Sequence, residues 1–429
     1  MKRAWFFVIL GLVCVILALT TGRDLFYNLS YLIGVILVLS LFWAWRSIAS
    51  VQIIRRTRSR RSAVGKTAEE SMVVRNTGFL PQVWIKVHDK STLPWHRISR
   101  VIGSLPPKRY RSWTIRTICR RRGQFTLGPV TLSSGDPFGL FRLERELRPT
   151  SSIVIYPAVI PIPSFAPPLG QLPGGDAVRG RTHYITTNVS GVRDYAPGDS
   201  FSRIHWRSTA RTGRLIVKEF ELDPTSDIWI FPDMYRRVQH QLTVVEKEPE
   251  DPVIAILRGH KMSKIEIDPA TEEYIVTIAA SVTQHFIHKE RAVGMVSYGN
   301  TRKVMQPDRG HRQLTKVLET LAMAEASGAV PLTQVLLTEG DRLGRGVTIV
   351  IITPSMEQTW IAASRELVRR GARVIAVVVD PTGFGGSGNP KALMSELHAS
   401  KIPAYLVRRG DDLAVALSQQ SSSLSRRRR

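Results

Sequence analysis

The sequence predicts a membrane-anchored multidomain chain. An N-terminal transmembrane helical hairpin leads into a small β-sandwich-like domain, and an α/β domain with a mainly parallel sheet follows. Three observations carry that reading: two uncharged apolar runs at the start, short β-type segments divided by turn signals, then apolar runs alternating with helical periodicity. The expected bounds are residues 1–50 for the hairpin, 51–157 for the β-rich domain, 158–224 for a connector with a dense charged segment, 225–418 for the α/β domain and 419–429 for a basic tail.

The apolar runs extend from Ala4 to Thr20 and from Leu29 to Trp45. Each is about 17 residues long, the lower end of what crosses a hydrocarbon core as a helix. The connector TGRDLFYN is short, so the spans return as an antiparallel pair. Tyr27, Tyr31, Trp43 and Trp45 stand near the run ends, where amphipathic rings favour the headgroup region. Lys2 and Arg3 would also suit a signal peptide, but Ala18-Leu19-Thr20 is a poor cleavage site and a second span follows at once. Basic residues flank the hairpin at Lys2, Arg3, Arg46, Arg55, Arg56, Arg58, Arg60 and Arg61, whereas the connector offers Arg23 offset by Asp24. The positive-inside rule then places a multi-pass chain in the cell membrane with both termini cytoplasmic.

The formal charge is +25. Two partners compete for it: nucleic acid and the anionic leaflet. The stretch RRTRSRR, Arg55 to Arg61, directly follows a span, where each basic side chain gains roughly 1 kcal/mol from acidic lipids. No nucleic-acid module accompanies the charge, so anionic lipid near Arg55–Arg61 is the expected partner and nucleic acid is not. The two cysteines, Cys14 and Cys119, cannot build a disulfide framework or a cysteine-rich zinc site.

In the β-rich part, SMVVRNTG, QVWIKVHD, YRSWTIRTICRR, GQFTLGPVTLSS and SSIVIYP read as strands punctuated by Pro-Pro, Asn-Thr-Gly and Gly-Asp-Pro. The Pro/Gly-rich run PIPSFAPPLGQLPGG cannot continue as a helix. Beyond it, SDIWIF, RAVGMVSYG, GVTIVIIT, ARVIAVVVD and IPAYLVRR alternate with helical segments beginning at Thr271, His311, Ser355 and Pro390. That alternation argues for a parallel sheet flanked by helices. A charged, irregular insertion lies between Met234 and Asp268.

The densest segment is GVRDYAPGDSFSRIHWRSTARTGRLIVKEFE, Gly191 to Glu221. Pro197-Gly198 should turn the chain, and Asp199 or Ser200 should cap a helix running to about Arg211. Arg203 and Arg207 would then share one face at i,i+4 with Trp206 beside them, and Thr212-Gly213 would end the helix before a strand. Asp194, Asp199, Glu219 and Glu221 are available to pair with the arginines. Such a cluster either grips carboxylates or phosphates of a partner, or locks a junction between domains. The candidate interaction residues are Arg193, Asp194, Tyr195, Asp199, Arg203, His205, Trp206, Arg207, Arg211, Lys218 and Glu219.

Together with RRGQFTLGPVTLSSGDPFGLF at Arg121 to Phe141, this segment resembles the domain of unknown function 58 (DUF 58) family. Gly191, Arg193, Tyr195, Pro197, Gly198, Asp199, Ile204, His205, Trp206, Ala210, Arg211, Gly213, Lys218, Phe220 and Glu221 are among the matching positions. The resemblance implies two spans, a β-rich region and a von Willebrand factor A-like α/β domain. It also implies a MoxR-type AAA+ ATPase as partner, with a chaperone-like or assembly role and no defined reaction. Such a domain normally carries an Asp-x-Ser-x-Ser metal site completed by a later Thr and Asp. Here Asp233 is followed by Tyr235 and Arg237 in place of the serines, and the later strand supplies Thr353 and Ser355 without an aspartate. That ligand set is too small for Mg²⁺, so the site reads as a degenerate remnant and no cofactor is expected.

Other motifs are discounted. Gly65-Lys66-Thr67 lacks the upstream P-loop glycine, whose place is taken by Arg60, and Gly383, Gly385 and Gly388 read as a connecting loop. Asp199, Ser202 and His205 mimic a triad only in local spacing, and catalytic triads are defined by spatial geometry. The expected function is therefore a membrane-tethered, non-enzymatic interaction or assembly protein. A membrane-proximal nucleic-acid binder and, below it, a hydrolase are the alternatives.

Overall fold

The computed structural model describes residues 2–148, 150–165, 189–196, 201, 204–220, 227–242 and 267–419. They fall into two compact units, one bounded by residues 1–158 with 245–268, the other by residues 159–244 with 269–429.

The first unit opens with helices α1 (Lys2–Thr21) and α2 (Asp24–Ala49). Both are long and apolar enough to cross a membrane. The turn between them is shorter than the sequence suggested: only Gly22 and Arg23 lie outside a helix, and Gly22 takes a positive φ of 63° there. DLFYN of the expected connector is helical. Small residues let the helices approach. Cys14 and Ala18 are buried, and a Cβ added at Gly11 would come within 3.2 Å of Ile33.

One residue, Ser50, separates α2 from strand β1 (Val51–Thr57). Strands β2 (Arg61–Ala63), β3 (Thr67–Asn76), β4 (Ile85–Asp89), β5 (Arg100–Ile102), β6 (Tyr110–Ile118), β7 (Gly123–Leu127), β8 (Val130–Gly135), β9 (Arg142–Leu147) and β10 (Ser151–Tyr156) follow. They form sheets ordered β1-β3-β6, β5-β4-β8-β9 and β2-β10-β7. The first two are antiparallel and share one core, in which Val51, Met72 and Val74 pack with Ile85, Val87 and Leu132. A smaller core around Leu127, Ile153 and Ile155 serves the third sheet. The expected run GQFTLGPVTLSS is two strands in two different sheets, broken at Gly128-Pro129, because proline brings no N–H to a ladder.

Strand β1 also revises the basic collar. Its alternation turns Val51, Ile53, Arg55 and Thr57 inward and Arg56 outward. Arg55 is therefore not a lipid-facing residue, its side chain being only 3% exposed. It is hydrogen-bonded to Glu70 and lies 2.9 Å from Asp89, and His96 approaches Glu70 at 2.7 Å and Thr117 at 2.8 Å. Burial by itself would raise the Glu70 carboxyl, but hydrogen bonds and charge from Arg55 and His96 outweigh it and hold the group at about 2. Arg58, Arg60 and Arg61 are exposed, but β1 carries them away from the helix, roughly 20 Å over its six steps.

The second unit is built on one mixed sheet ordered β15-β14-β13-β16-β17-β18, comprising β13 (Ile228–Pro232), β14 (Val293–Tyr298), β15 (Arg302–Asp308), β16 (Thr348–Thr353), β17 (Arg373–Val379) and β18 (Ala404–Val407). All neighbours pair in parallel except the edge strand β15. The central strands are buried end to end, as a sheet covered on both faces requires. The expected helices are present at Thr271–His288, Gly310–Ala322, Thr359–Arg369 and Pro390–Ala399, and a further one at Leu332–Gly340 was not anticipated. The same unit holds a two-stranded sheet of β11 (Val189–Asp194) and β12 (Ile216–Phe220) with helix α3 (Trp206–Thr212) between them in sequence.

Candidate functional site

The described residues of the dense charged segment form a small knob of two strands and the helix between them. β11 and β12 pair antiparallel, with Arg193 opposite Val217 and Asp194 opposite Ile216. Ile204 bridges to Val217, and both are buried, giving the knob its own apolar centre. The Tyr195 and His205 N–H groups donate to Leu215 and Ile216 carbonyls at 2.9 and 2.8 Å, and the Ile216 N–H donates to Thr209 Oγ1 at 3.1 Å. Gly213 ends α3 with φ 67°, as Thr212-Gly213 predicted.

The helix begins later than expected. Its first residue is Trp206 and His205 occupies the cap, with Nδ1 2.7 Å from Ser208 Oγ. His205 is thus a local hydrogen-bonded residue of the helix start. Asp199, Ser200, Ser202, Arg203 and Glu221, which figured in the expected cap, arginine pair, triad and network, lie outside the described residues. Lys218 and Glu219 are placed by their backbones in β12 opposite Val192 and Gly191.

The surface of the knob is aromatic and basic. Trp206 is 67% exposed and Phe201 68%, the latter stacked on Tyr195 at 5.9 Å. Val192 and Leu215 add exposed apolar area. Arg207 and Arg211 stand one turn apart on α3, both exposed, and among the described residues neither engages a carboxylate. Arg193 and Asp194 are exposed on β11, with Arg193 Nη1 donating to the Asp194 carbonyl at 3.1 Å. Trp206 was visible in the sequence as a candidate. Phe201, Val192 and Leu215 were not: alternation alone does not say which face of a two-stranded sheet leaves Val192 uncovered, and Phe201 and Leu215 lie outside the strands, where no periodicity reports exposure.

The second cluster sits where the strand order reverses, between β13 and β16, whose following loops leave in opposite directions. Asp233 ends β13 and is buried. Its Oδ2 accepts from Thr353 Oγ1 at 2.6 Å and its Oδ1 from the Tyr235 N–H at 3.0 Å. Thr353 Oγ1 in turn accepts from the Ser355 N–H at 2.9 Å, so the three remnant residues do meet. Gln239 bonds the Asp233 carbonyl at 2.7 Å and Thr271 Oγ1 at 2.7 Å, fastening the loop after β13. Burial, with the charge of Glu357 added, pushes Asp233 up to about 6 against the opposing bonds from Thr353 and Tyr235. Arg236 and Arg237 are exposed beside it. Among the described residues no three histidine, cysteine or acidic side chains converge as a metal set. Both oxygens of Asp233 are spent on internal donors, an arrangement that ties two strand ends together.

The family described as "Protein of unknown function DUF58" matches residues 191–266, the part of the chain that holds the knob. The uncharacterized protein YeaD of Bacillus subtilis is 21% identical over 245 residues, covering 56% of this chain and 52% of its own. The chain thus spans about half the length of that curated relative. Among solved structures, the CARDB domain of a Pyrococcus furiosus protein in complex with di-metal ions is 16% identical, with a TM-score of 0.19, covering 24% of this chain and 86% of that one. The alkylpurine DNA glycosylase AlkC of Pseudomonas fluorescens, bound to DNA containing an abasic site analog, is 15% identical with a TM-score of 0.17, covering 32% and 41%. Scores this low carry no inference about fold or function.

Proposed function

We propose that the chain is a membrane-tethered, non-enzymatic interaction or assembly protein that docks a MoxR-type AAA+ ATPase through the knob. The single observation that carries this reading is the surface of α3. Trp206 with Arg207 and Arg211 forms an exposed aromatic–guanidinium patch, the residue types that concentrate binding energy at protein interfaces. The match to the DUF58 family covers this same segment, and the ATPase is the partner that resemblance implies. We read the α/β unit as von Willebrand factor A-like. Its strand order, its antiparallel edge strand and the meeting of Asp233 with Thr353 and Ser355 support that assignment. The two N-terminal helices serve as the tether, and the flanking basic residues favour both termini in the cytoplasm.

The test is capture of a MoxR-type ATPase of the same cell by the full chain in lipid nanodiscs, with ATP, with ADP and without nucleotide. Capture is expected in at least one state. It should fall by roughly tenfold or more on joint Trp206→Ala and Arg207→Ala substitution, the loss typical of an interface centre. Absence of capture in all three states would refute the reading.

A further inference from the structure

The register of the β-rich domain gathers one set of turns around the base of α2. Val51 begins β1 directly after the helix and lies opposite Asn76, so β3 ends at the helix. Ile85, the start of β4, is opposite both Ile102 and Ser134, so β5 and β8 end there too. Gly135 opposes Arg142, and Arg75 opposes Tyr110, which brings the starts of β9 and β6 to the same level. The turns 77–84, 103–109 and 136–141 therefore all lie at the helix-bearing end.

That end is fixed to α2 by buried polar contacts. Ser47 Oγ lies 2.8 Å from Ser134 Oγ and is hydrogen-bonded to Gln82, whose Nε2 donates to Ser50 Oγ at 3.1 Å. Thr77 donates through N and Oγ1 to the Ser50 carbonyl at 2.9 and 2.7 Å. The domain cannot swing on a loose linker at this joint.

Among the described residues of the domain, the exposed large aromatic side chains are Phe79, Tyr110 and Phe138, at 60, 66 and 64%. All three belong to this end. The Arg46 guanidinium sits 5.4 Å over the Phe79 ring, next to Trp45 of α2, which sets Phe79 at the level of the helix's own interfacial aromatics. Asp136, itself buried, accepts from the N–H groups of Phe138 and Phe141 at 2.9 and 2.7 Å, holding the turn so that Phe138 projects. Lys108, Arg109 and Arg142 are exposed in or beside these turns, Arg142 also pairing with Glu144 at 3.0 Å, and the only acidic residue in the three turns is that engaged Asp136.

We propose that this rim lies on the bilayer, with Phe79, Tyr110 and Phe138 seated in the interfacial layer and Lys108, Arg109 and Arg142 against acidic headgroups. The inference rests on the reading of α1 and α2 as spans. Continuity with α2 names the occupant, and the excess of positive charge matches it.

The experiment places nitroxide labels in the full chain bearing Cys14→Ser and Cys119→Ser, in phosphatidylcholine–phosphatidylglycerol vesicles, at Phe79→Cys, Phe138→Cys, Val35→Cys within α2, and Arg60→Cys at the far end of β1. Accessibility to oxygen is compared with accessibility to a water-soluble nickel complex. Labels at 79 and 138 should favour oxygen severalfold over the label at 60, approaching the value at 35. If 79 and 138 match 60 while 35 reads lipid, the rim proposal fails and the spans stand. If 35 also reads water, the spans themselves fail, and the rim with them.

Discussion

At one end of the β-rich domain, three turns surround the base of α2 with exposed rings and basic side chains; at the other, β1 delivers Arg58, Arg60 and Arg61 to solvent about 20 Å away. In the sequence, the second group sits nearest the end of α2. In the fold, the first group does, although it is drawn from positions about 30 to 90 residues after the end of α2. Adjacency to a span in sequence gives proximity to lipid only while the chain stays in the interface, and a strand leaving the helix ends that after a few residues. Screening completes the separation, because the Debye length in physiological salt is about 8 Å.

The sharpest way to probe this contrast is inside RRTRSRR itself. Arg55→Ala should destabilise the β-rich domain by about 3–5 kcal/mol, the cost of leaving buried Glu70 and Asp89 without their cation. Arg58→Ala, which removes only an exposed partner of Glu69, should leave thermal unfolding of the nanodisc-embedded chain unchanged. Equal effects would mean that Arg55 is not the buried cation of Glu70 and Asp89.

Acid should find the same network. Glu70 is held at about 2 in the folded domain against an ordinary 4.5, so its contribution is complete above about 4.5 and is lost as pH falls from there toward 2. It amounts to roughly 3 kcal/mol. Glu70→Gln should flatten that part of the stability profile, measured by hydrogen exchange in β1 and β3. The sheet end of the second unit should titrate oppositely. Asp233, raised to about 6, binds its proton more tightly folded than unfolded, so stability there declines as pH rises from about 4 through 6. Asp233→Asn should remove that slope.

Lipid selection gives a smaller, more specific contrast. Charge reversal at Lys108 and Arg109 should weaken the preference for spin-labelled phosphatidylglycerol by about 1 kcal/mol per residue, while reversal at Arg60 and Arg61 should not. The smallest effect on stability is expected in the knob, where Trp206→Ala should alter ATPase capture and leave unfolding untouched, since the ring is exposed.

Much of this organisation was legible in the sequence. Uncharged runs of span length gave α1 and α2, and buried runs such as GVTIVIIT and ARVIAVVVD gave the central strands, because continuous apolar character has few other uses. The edge strand β15 and the polar β9 went unread, since edge strands need only a partial apolar pattern. Arg55 was misplaced for a related reason. A charged residue at an inward position looks like a solvent residue until Glu70, Asp89 and His96, from three other segments, are brought to it. In the knob, Thr212-Gly213 marked the end of α3 through glycine's access to positive φ, but its start at Trp206 carried no side-chain cap to announce it. The exposure of Phe79 and Phe138 depends on register across two sheets, which no local pattern encodes.

On this proposal the helix-bearing end of the β-rich domain, and not the Arg58–Arg61 end, meets lipid. Photoreactive benzoylphenylalanine placed at position 138 or at position 60 of the full chain, irradiated in native membranes and read by mass spectrometry, tests it directly. Lipid adducts are expected at 138 and none at 60; adducts at 60 with none at 138 would overturn the proposed placement of the rim.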